Sequence, residues 1–397
     1  MDTLRLQKMT VQGFKSLDHF QVEFQPHFTV FIGGNGTGKS TVLQFLAFIQ
    51  AFMLGEPRRF FEERIWNPDS IQSFLNHSHQ IEAQLTFENT KGTQIQWDFV
   101  WCVQDNLNQT ESLHYLNQNT QQTLFKFTRS TEQGNRQLQI DHETVEGLGL
   151  RLAGSLFSIL DTQSVAHPKS HEIIESVRAW GRGIFSLELM NPVKMRHGAI
   201  GFRSHLGHQG EWLGGFLASL STGQKTRIIK RLNQFYPTLK ALYTPEKKAG
   251  WIDLQLAEHF QNSEPIHAEH ISDGYLRLIA LAAIPELGPD EISLILIDEI
   301  EDGIEPHILP ELIDTIRQEQ KTQFIMTTHS PLLVNHFEPP EIRFMSRTAT
   351  GTAISVGFHE LKAIQQDLAY QGAGEIWLHT SNRTIEQWVK EAISRRG

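Results

Sequence analysis

Nine consecutive residues carry the clearest chemistry in the sequence, Gly33-Gly34-Asn35-Gly36-Thr37-Gly38-Lys39-Ser40-Thr41. Gly33 and Gly38 have four residues between them and are followed by Lys39 and Ser40, a spacing typical of loops that cradle phosphate. The glycines allow positive φ and close approach of the backbone, so that N–H groups point at phosphate oxygens. Lys39 would reach the β- and γ-phosphates, and the Ser40 hydroxyl would ligate Mg²⁺. This phosphate loop predicts binding of a nucleoside triphosphate.

Two acids follow a long apolar run that starts at Glu291 and ends at Asp298 and Glu299. An aspartate at the end of a buried strand can hold Mg²⁺ opposite Ser40. The glutamate beside it can orient and polarise the water that attacks the γ-phosphate. A strand that merely ends in surface acids is the alternative, and the phosphate loop upstream argues against it.

A single histidine, His329, ends the next apolar run and precedes Ser330-Pro331. Most lone histidines are structural. Its position, at the end of the strand after the acidic one, favours contact with the γ-phosphate.

A second candidate anion site is Ser272-Asp273-Gly274, called here the signature segment. Ser272 is a good N-cap for the apolar helical run that continues to Ala283, and a helix N-terminus attracts anions. Because this chain already has a phosphate loop, we expect the segment to serve the nucleotide of another subunit.

The predicted elements bring these residues to one edge of a sheet. A β-favouring run, 28–32, leads into the loop, and helical spacing follows over 41–54. The runs 291–299 and 323–331 are continuously apolar, as in strands buried on both faces, and 308–320 predicts the crossover helix between them. A mixed or parallel central sheet follows, with the acids where α/β folds place ligands.

The rest of the chain divides by pattern. Alternating apolar runs between about 80 and 142 predict a meander of antiparallel strands, and three- and four-residue spacing over about 145–243 predicts helices. We therefore expect an N-terminal half over 1–144, an inserted and mainly helical lobe over 145–264, and a C-terminal half over 265–397.

Composition narrows the setting of the protein. The 397 residues include 45 acids against 35 bases, a net charge of −10, so that any contact with nucleic acid would need a local patch. The only cysteine is Cys102, and no signal peptide or membrane span is evident, which predicts a cytoplasmic protein. Three histidine pairs, His77/His79, His205/His208 and His267/His270, lack a nearby third ligand and favour structural roles.

The motifs together resemble those of ABC-type ATPases of the RecF/SMC/Rad50/OLD group, and most closely stand-alone bacterial AAA family ATPases of the AAA_21 type, many of which act in anti-phage defence. The resemblance implies an α/β P-loop NTPase core of ABC-ATPase type, with a mixed central sheet, an antiparallel β subdomain and an inserted helical lobe. It covers about residues 1–55 and 265–335. The matching residues are Gly13–Leu17, Gly33–Ser40, Ser272–Arg277, Asp298–Pro306 and Thr328–Pro331.

The resemblance also implies a mechanism. Two chains would form a head-to-tail homodimer, with each ATP and Mg²⁺ between one phosphate loop and the partner's signature segment. Glu299 would activate water, with His329 on the γ-phosphate, so that ATP closes the dimer and hydrolysis opens it. The dimer junction would contain Glu301, Asp302 and Gly303, called here the junction loop.

A second segment, Leu220-Ser221-Thr222-Gly223-Gln224, is closer in letters to the signature of ABC transporters. In that architecture one helix joins the signature to the acidic strand. Ser272 precedes Asp298 by 26 positions, whereas Ser221 precedes it by 77. We therefore assign the signature to Ser272 and treat the basic helix after Ser221 as a possible nucleic-acid or partner surface. Its basic residues are Lys225, Arg227, Lys230 and Arg231.

The leading functional hypothesis is an ATP-driven switch that controls a separately encoded effector, such as a nuclease, in anti-phage defence. No long heptad region is present, and about 60 residues follow Pro331 without an Asp-x-Asp motif, so coiled-coil arms and an intrinsic Toprim nuclease are not expected. The alternative is a RecF-like repair or chromosome-maintenance ATPase that binds DNA directly. A transporter subunit is disfavoured by the displaced signature and by the large inserted lobe.

Overall fold

The computed structural model describes residues 3–395 except 77, 118–119, 130–135, 142, 150, 165–166, 189, 261–263, 289–291, 319–321 and 366. The start of the strand predicted from Glu291, the end of the helix predicted to Gln320, and His77 of the first histidine pair lie outside these residues.

The described residues form helices and strands, and strands alternate with helices only in parts of the chain, as in the α/β unit β16-α8-β17. In chain order the strands are β1 (Leu4–Gln12), β2 (Phe20–Glu23), β3 (Phe28–Ile32), β4 (Gln80–Asn89), β5 (Gln94–Cys102), β6 (Leu107–Asn117), β7 (Thr120–Arg129), β8 (Arg136–Ile140), β9 (Glu143–Leu148), β10 (Ile184–Ser186), β11 (Ala199–Ile200), β12 (Leu239–Tyr243), β13 (Trp251–Ile252), β14 (Gln255–Glu258), β15 (Ile266–His267), β16 (Leu294–Ile297), β17 (Gln323–Thr327), β18 (Ile342–Arg347) and β19 (Ala353–Gly357). The helices are α1 (Lys39–Met53), α2 (Pro57–Arg64), α3 (Pro168–Arg182), α4 (Pro192–Arg196), α5 (Leu213–Ser219), α6 (Thr222–Phe235), α7 (Asp273–Ala282), α8 (Leu309–Arg317), α9 (Pro331–Val334), α10 (Ala373–His379) and α11 (Asn382–Ser394).

The central sheet has the order β10-β16-β17-β3-β18-β19 within the described residues. Neighbouring strands are parallel except β18 and β19, which confirms the predicted mixed sheet. The sequence of β16 is continuously apolar because both faces of the strand are buried. Leu294 and Leu296 pack with α1 on one face, whereas Ile295 and Ile297 pack with α7 and α8 on the other. Burial on both faces leaves no position for a polar residue.

The antiparallel subdomain is a second sheet, ordered β2-β1-β4-β5-β6-β7-β8-β9 in the part of the chain that the structure describes. It confirms the predicted antiparallel β subdomain and adds two strands: β9, which runs into the segment predicted to be helical, and β6, whose polar sequence hides it. Glu111 of β6 is fully buried and accepts hydrogen bonds from Trp97 Nε1 at 2.9 Å and from Asn108 Nδ2 at 2.6 Å. Burial raises the pKa of Glu111, and these bonds oppose the shift.

The segment 145–264 is more varied than the predicted helical lobe. Its strand β10 joins the central sheet, where Ile184 pairs with Leu294, and α3 packs on α1 and β1. Beyond β10 the segment combines helices α4, α5 and α6 with strands of two small sheets, β11-β13 and β12-β14-β15. Strand β10 has three residues, which is too short to show the alternation typical of a strand. The helical spacing of the neighbouring residues therefore dominates the sequence pattern.

None of the helices in the described residues is long and apolar enough to cross a bilayer.

Candidate nucleotide-binding site

The phosphate loop lies between the end of β3 and the start of α1. Gly33 has φ 136° and Gly38 has φ 103°, values that L side chains rarely adopt. A Cβ on Gly33 would lie 2.3 Å from the Met345 carbonyl oxygen of β18, and one on Gly38 would lie 3.0 Å from Ser16 Oγ. Glycine is therefore needed at both positions, for conformation and for space.

Lys39 is the first residue of α1 and is buried under the loop. Its Nζ donates hydrogen bonds to the Gly33 and Gly34 carbonyl oxygens at 3.0 and 3.1 Å. Thr37 Oγ1 also donates to the Gly34 carbonyl oxygen, at 2.9 Å, and closes the turn. Burial lowers the pKa of Lys39, and the negative charge of Asp298 is the largest opposing influence. The ammonium group is thus held inside the loop.

A hydroxyl–carboxylate pair joins the loop to the acidic strand. Ser40 Oγ donates to Asp298 Oδ1 at 3.0 Å, although the two residues are 258 positions apart. Thr327 Oγ1, at the end of β17, donates to the same carboxylate oxygen at 2.6 Å. A serine hydroxyl and an aspartate carboxylate are hard oxygen ligands of the kind that Mg²⁺ prefers, so these residues fit the predicted metal.

Glu299 occupies an unusual backbone position. Its φ is +47°, in the left-handed region, and its N–H donates to Thr327 Oγ1 at 2.8 Å. Such a conformation in a non-glycine residue costs about 1–2 kcal/mol. Thr327 therefore holds both acids: it donates to Asp298 and accepts from Glu299. Thr327 was not predicted from the sequence, although its place at the end of a buried strand is a signal that could have identified it.

His329 is positioned through the junction loop. Glu301 accepts a hydrogen bond from the His329 backbone N–H and another from Thr328 Oγ1, the latter at 2.8 Å. Ser330 Oγ then accepts from the Leu333 N–H and caps α9. The histidine therefore lies two residues after the end of β17, and the carboxylate of Glu301 fixes its backbone.

The signature segment also contacts the junction loop. Ser272 Oγ accepts from the Tyr275 N–H at 3.3 Å and caps α7 as predicted, while its side chain is exposed. A Cβ on Gly274 would lie 1.9 Å from the Gly303 carbonyl oxygen. Arg277 forms an ion pair with Asp302 and donates to the Asp302 carbonyl oxygen at 3.1 Å. Asp273 forms an ion pair with Arg196.

The segment around Ser221 has different partners. Ser221 caps α6 with a capping box that includes Gln224. Arg227 Nε donates to Glu286 Oε1 at 3.0 Å, and Arg231 Nη1 lies 2.7 Å from the same oxygen. Glu286 is buried. Two of the four basic residues on this helix thus neutralise a buried acid within the chain.

The structure therefore brings one group of predicted residues together and leaves another apart. Ser40 bonds to Asp298, Lys39 is influenced by the Asp298 charge, and Glu299 is linked to Asp298 through Thr327. Within the described residues, no hydrogen bond or ion pair joins the signature segment to the phosphate loop.

Two family models match the sequence. The model described as "AAA domain, putative AbiEii toxin, Type IV TA system" matches residues 202–335, and a model described as "AAA domain" matches residues 8–172. A search of curated protein sequences finds no match.

Solved heads of SMC proteins share the fold. A head bound to the C-terminal winged-helix domain of ScpA is 16% identical, with a TM-score of 0.56 over 88% of this chain and 97% of its own. The Pyrococcus furiosus head with an extended coiled coil, bound to the C-terminal domain of ScpA, is 14% identical (TM-score 0.53, 92% and 100%). The Pyrococcus yayanosii head with a coiled coil and joint is 10% identical (0.51, 92% and 100%). The chain is therefore an ATPase that matches AAA-domain models over two parts of its sequence, and its fold is similar to that of SMC heads.

Proposed function

We propose that the protein is an ATP-driven switch in which two chains form a head-to-tail dimer around two ATP molecules. The proposal rests on the separation between the signature segment and the phosphate loop within one chain. One chain assembles the phosphate loop with both acids, while the signature segment presents an exposed, serine-capped helix N-terminus elsewhere. An exposed helix N-terminus whose capping hydroxyl can still donate its proton suits a phosphate from outside its own chain.

Each residue of the loop side has a distinct task in this proposal. Lys39 would bind the β- and γ-phosphates. Ser40 and Asp298 would hold Mg²⁺, which neutralises charge on the phosphate oxygens when bound. Glu299 would accept a proton from the attacking water, and His329 would contact the γ-phosphate. The left-handed backbone of Glu299, fixed by Thr327, would aim its carboxylate at that water.

The junction loop would transmit the nucleotide state between subunits. Glu301 bonds to the backbone of His329, whereas Gly303 packs on Gly274 and Asp302 pairs with Arg277. A loop that touches both the histidine and the signature segment can move one when the other engages phosphate. Closure with ATP and opening after hydrolysis would then form the switch.

The downstream role would be control of a separately encoded effector, such as a nuclease, in anti-phage defence. The description of the family model that matches residues 202–335 names a type IV toxin–antitoxin system. The two SMC heads that were solved with ScpA each bind a partner protein. A RecF-like function with direct DNA binding has less support, because Arg227 and Arg231 engage Glu286. Salt-sensitive DNA binding that is lost on reversing Lys225 and Lys230 would favour that alternative.

A mixing experiment tests the shared site. Ser272→Arg and Lys39→Ala should each abolish ATP turnover in a homodimer. A mixed dimer keeps one site with an intact loop and an intact signature segment. An equal mixture should therefore recover about one quarter of wild-type turnover if pairing is random and the sites are independent.

Ser221→Arg is the matched control, because Ser221 also caps an exposed helix N-terminus. The Ser221→Arg variant should retain ATP turnover when it is assayed by itself. Absence of recovery in the Ser272→Arg and Lys39→Ala mixture, with both variants folded, would contradict the shared site.

A further inference from the structure

We propose that a cavity at the edge of the central sheet binds a small phosphorylated ligand with an apolar ring, about the size of a nucleoside monophosphate. This edge cavity has a volume of about 320 Å³. It lies beside the C-terminal end of α1, whereas the phosphate loop is at the N-terminal end, about 20 Å away along a helix of this length. Its polar lining includes Gln50, Arg59, Arg182 and His205, and its apolar lining includes Leu54 and Phe185.

The polar lining of the edge cavity favours an anion. Arg59 and Arg182 contribute guanidinium groups, and none of its lining residues in the described chain is acidic. Arg59 Nε donates to Glu63 Oε1 at 2.8 Å and its Nη1 lies 3.9 Å from Glu56 Oε2, so that Nη2 is the nitrogen of Arg59 with no acidic partner among the described residues. Arg182 is exposed and forms no ion pair with any described residue. Paired guanidinium groups suit the geometry of phosphate oxygens.

His205 adds a neutral donor with a fixed tautomer. Its Nδ1 accepts the Gly207 N–H at 3.1 Å, so its proton is on Nε2. The ring lies against Phe185 and Trp212, with centroids 5.6 and 4.7 Å away. Burial lowers the pKa of His205 to about 4, with further lowering by His208 and the two nearby arginines, Arg59 and Arg203. Because burial is the main cause, the His205 ring stays neutral.

The remaining wall is apolar and limits the ligand's size. Leu54, Ile184, Phe185 and Ile292 provide a surface for a base or another flat ring. Ligand pockets span about 300–1,000 Å³, so a cavity of this size suits a mononucleotide rather than a polymer. A metal at His205 and His208 fits less well, because His205 Nδ1 already accepts a backbone hydrogen bond.

The walls of the edge cavity belong to elements that also carry the nucleotide site. Gln50 lies on α1, which begins with Lys39, and donates a hydrogen bond to the Ile184 carbonyl oxygen of β10. Strand β10 pairs with β16, which leads directly to Asp298. A ligand that bridges α1 and β10 can therefore bias the spacing between the phosphate loop and the acidic strand.

Calorimetry on the Lys39→Ala chain tests the site, since that change disables the phosphate loop. The probes are inorganic phosphate, adenosine monophosphate and glucose 6-phosphate. We expect at least one organic phosphate to bind in the micromolar to low-millimolar range, with affinity lowered about tenfold or more by Arg182→Ala.

Arg58→Ala is the matched control, because Arg58 is an exposed neighbour on α2 outside the cavity lining. It should leave the affinity unchanged. The proposal would be overturned if none of the three probes bound at concentrations up to about 10 mM. It would also be overturned if Arg182→Ala left the binding intact. Both results are independent of the shared-site dimer, which the mixing experiment addresses.

Discussion

The phosphate loop and the signature segment are the two segments that we propose to bind phosphate, and they differ in how completely the chain supports them. Around the loop, Lys39 bonds to two carbonyl oxygens of the loop and Ser40 bonds to Asp298 across the sheet. At the signature segment, Ser272 bonds to its own helix, and Asp273 is exposed although it pairs with Arg196. The support beneath it comes from the junction loop, through Gly303 and Asp302.

The phosphate loop is held rigidly by its own chain, whereas the signature segment is exposed and available to another molecule. A site that must bind nucleotide in every state needs its groups fixed before the ligand arrives. A surface that must engage only in the closed state needs an exposed face and a support that can sense engagement. The following predictions test whether changes on the two sides have different effects on binding and turnover.

The largest expected effect is at Glu299. Glu299→Gln removes the proposed proton acceptor but keeps the size of the side chain, and turnover should fall at least about 100-fold. ATP binding should persist, because the loop is intact, and size-exclusion chromatography with ATP should show accumulated dimers. Glu311→Gln, a change of an exposed acid on α8, serves as the control. Unchanged hydrolysis in Glu299→Gln would refute the assignment.

Much of the loop side could be predicted from sequence because its signals are local. The glycine spacing, the apolar strand before it and the helix after it are contiguous in the chain. The acids could be predicted because β16 is buried on both faces and ends abruptly in Asp298. Strand burial produces a continuous apolar run that is visible without any partner strand.

The remaining features depend on contacts between distant parts of the chain. Thr327 can hold the two acids only because β17 pairs with β16 in one register. The fit of Gly274 against Gly303 also requires the folded core. Strand β6 escaped prediction because buried Glu111 is stabilised by Trp97 and Ser155, which no local pattern reveals.

The second prediction concerns Gly274. Alanine there would place Cβ 1.9 Å from the Gly303 carbonyl oxygen, so the junction loop must move. We expect a loss of about 1–3 kcal/mol in the free energy of unfolding. Turnover should fall roughly 50-fold through misplacement of the site, while the affinity of the monomer for ATP stays within about twofold of wild type because the loop is untouched.

Gly223→Ala provides the comparison for Gly274→Ala, with denaturant unfolding and ATP hydrolysis measured on both. A Cβ on Gly223 would meet only Arg227 Nη1, at 4.0 Å, so this change should be neutral or stabilising. Equal losses in the two variants would show that the close contact with the junction loop is unimportant.

The third prediction concerns Thr327. Thr327→Val removes the hydroxyl that donates to Asp298 and accepts from Glu299, with little change in shape. The Glu299 N–H loses its acceptor, so turnover should fall about tenfold, as for other residues that orient metal ligands. Thr327→Ser should restore most of it in the same assay. A Val variant as active as the Ser variant would contradict the bridging role.

The smallest effect is expected at the two helix caps, and it compares the two serine-capped segments directly. Ser272→Ala and Ser221→Ala each remove an N-cap, so each should cost about 1 kcal/mol in the free energy of unfolding. Only Ser272 is proposed to meet phosphate. Loss of one such hydrogen bond, about 1 kcal/mol, would lower turnover about fivefold in Ser272→Ala and leave Ser221→Ala unchanged. Denaturant unfolding and ATP hydrolysis on both variants separate the two effects. Matched losses of stability with matched turnover would show that Ser272 acts only as a cap, and the segment that supplies the second half of the site would then have to lie elsewhere on the chain.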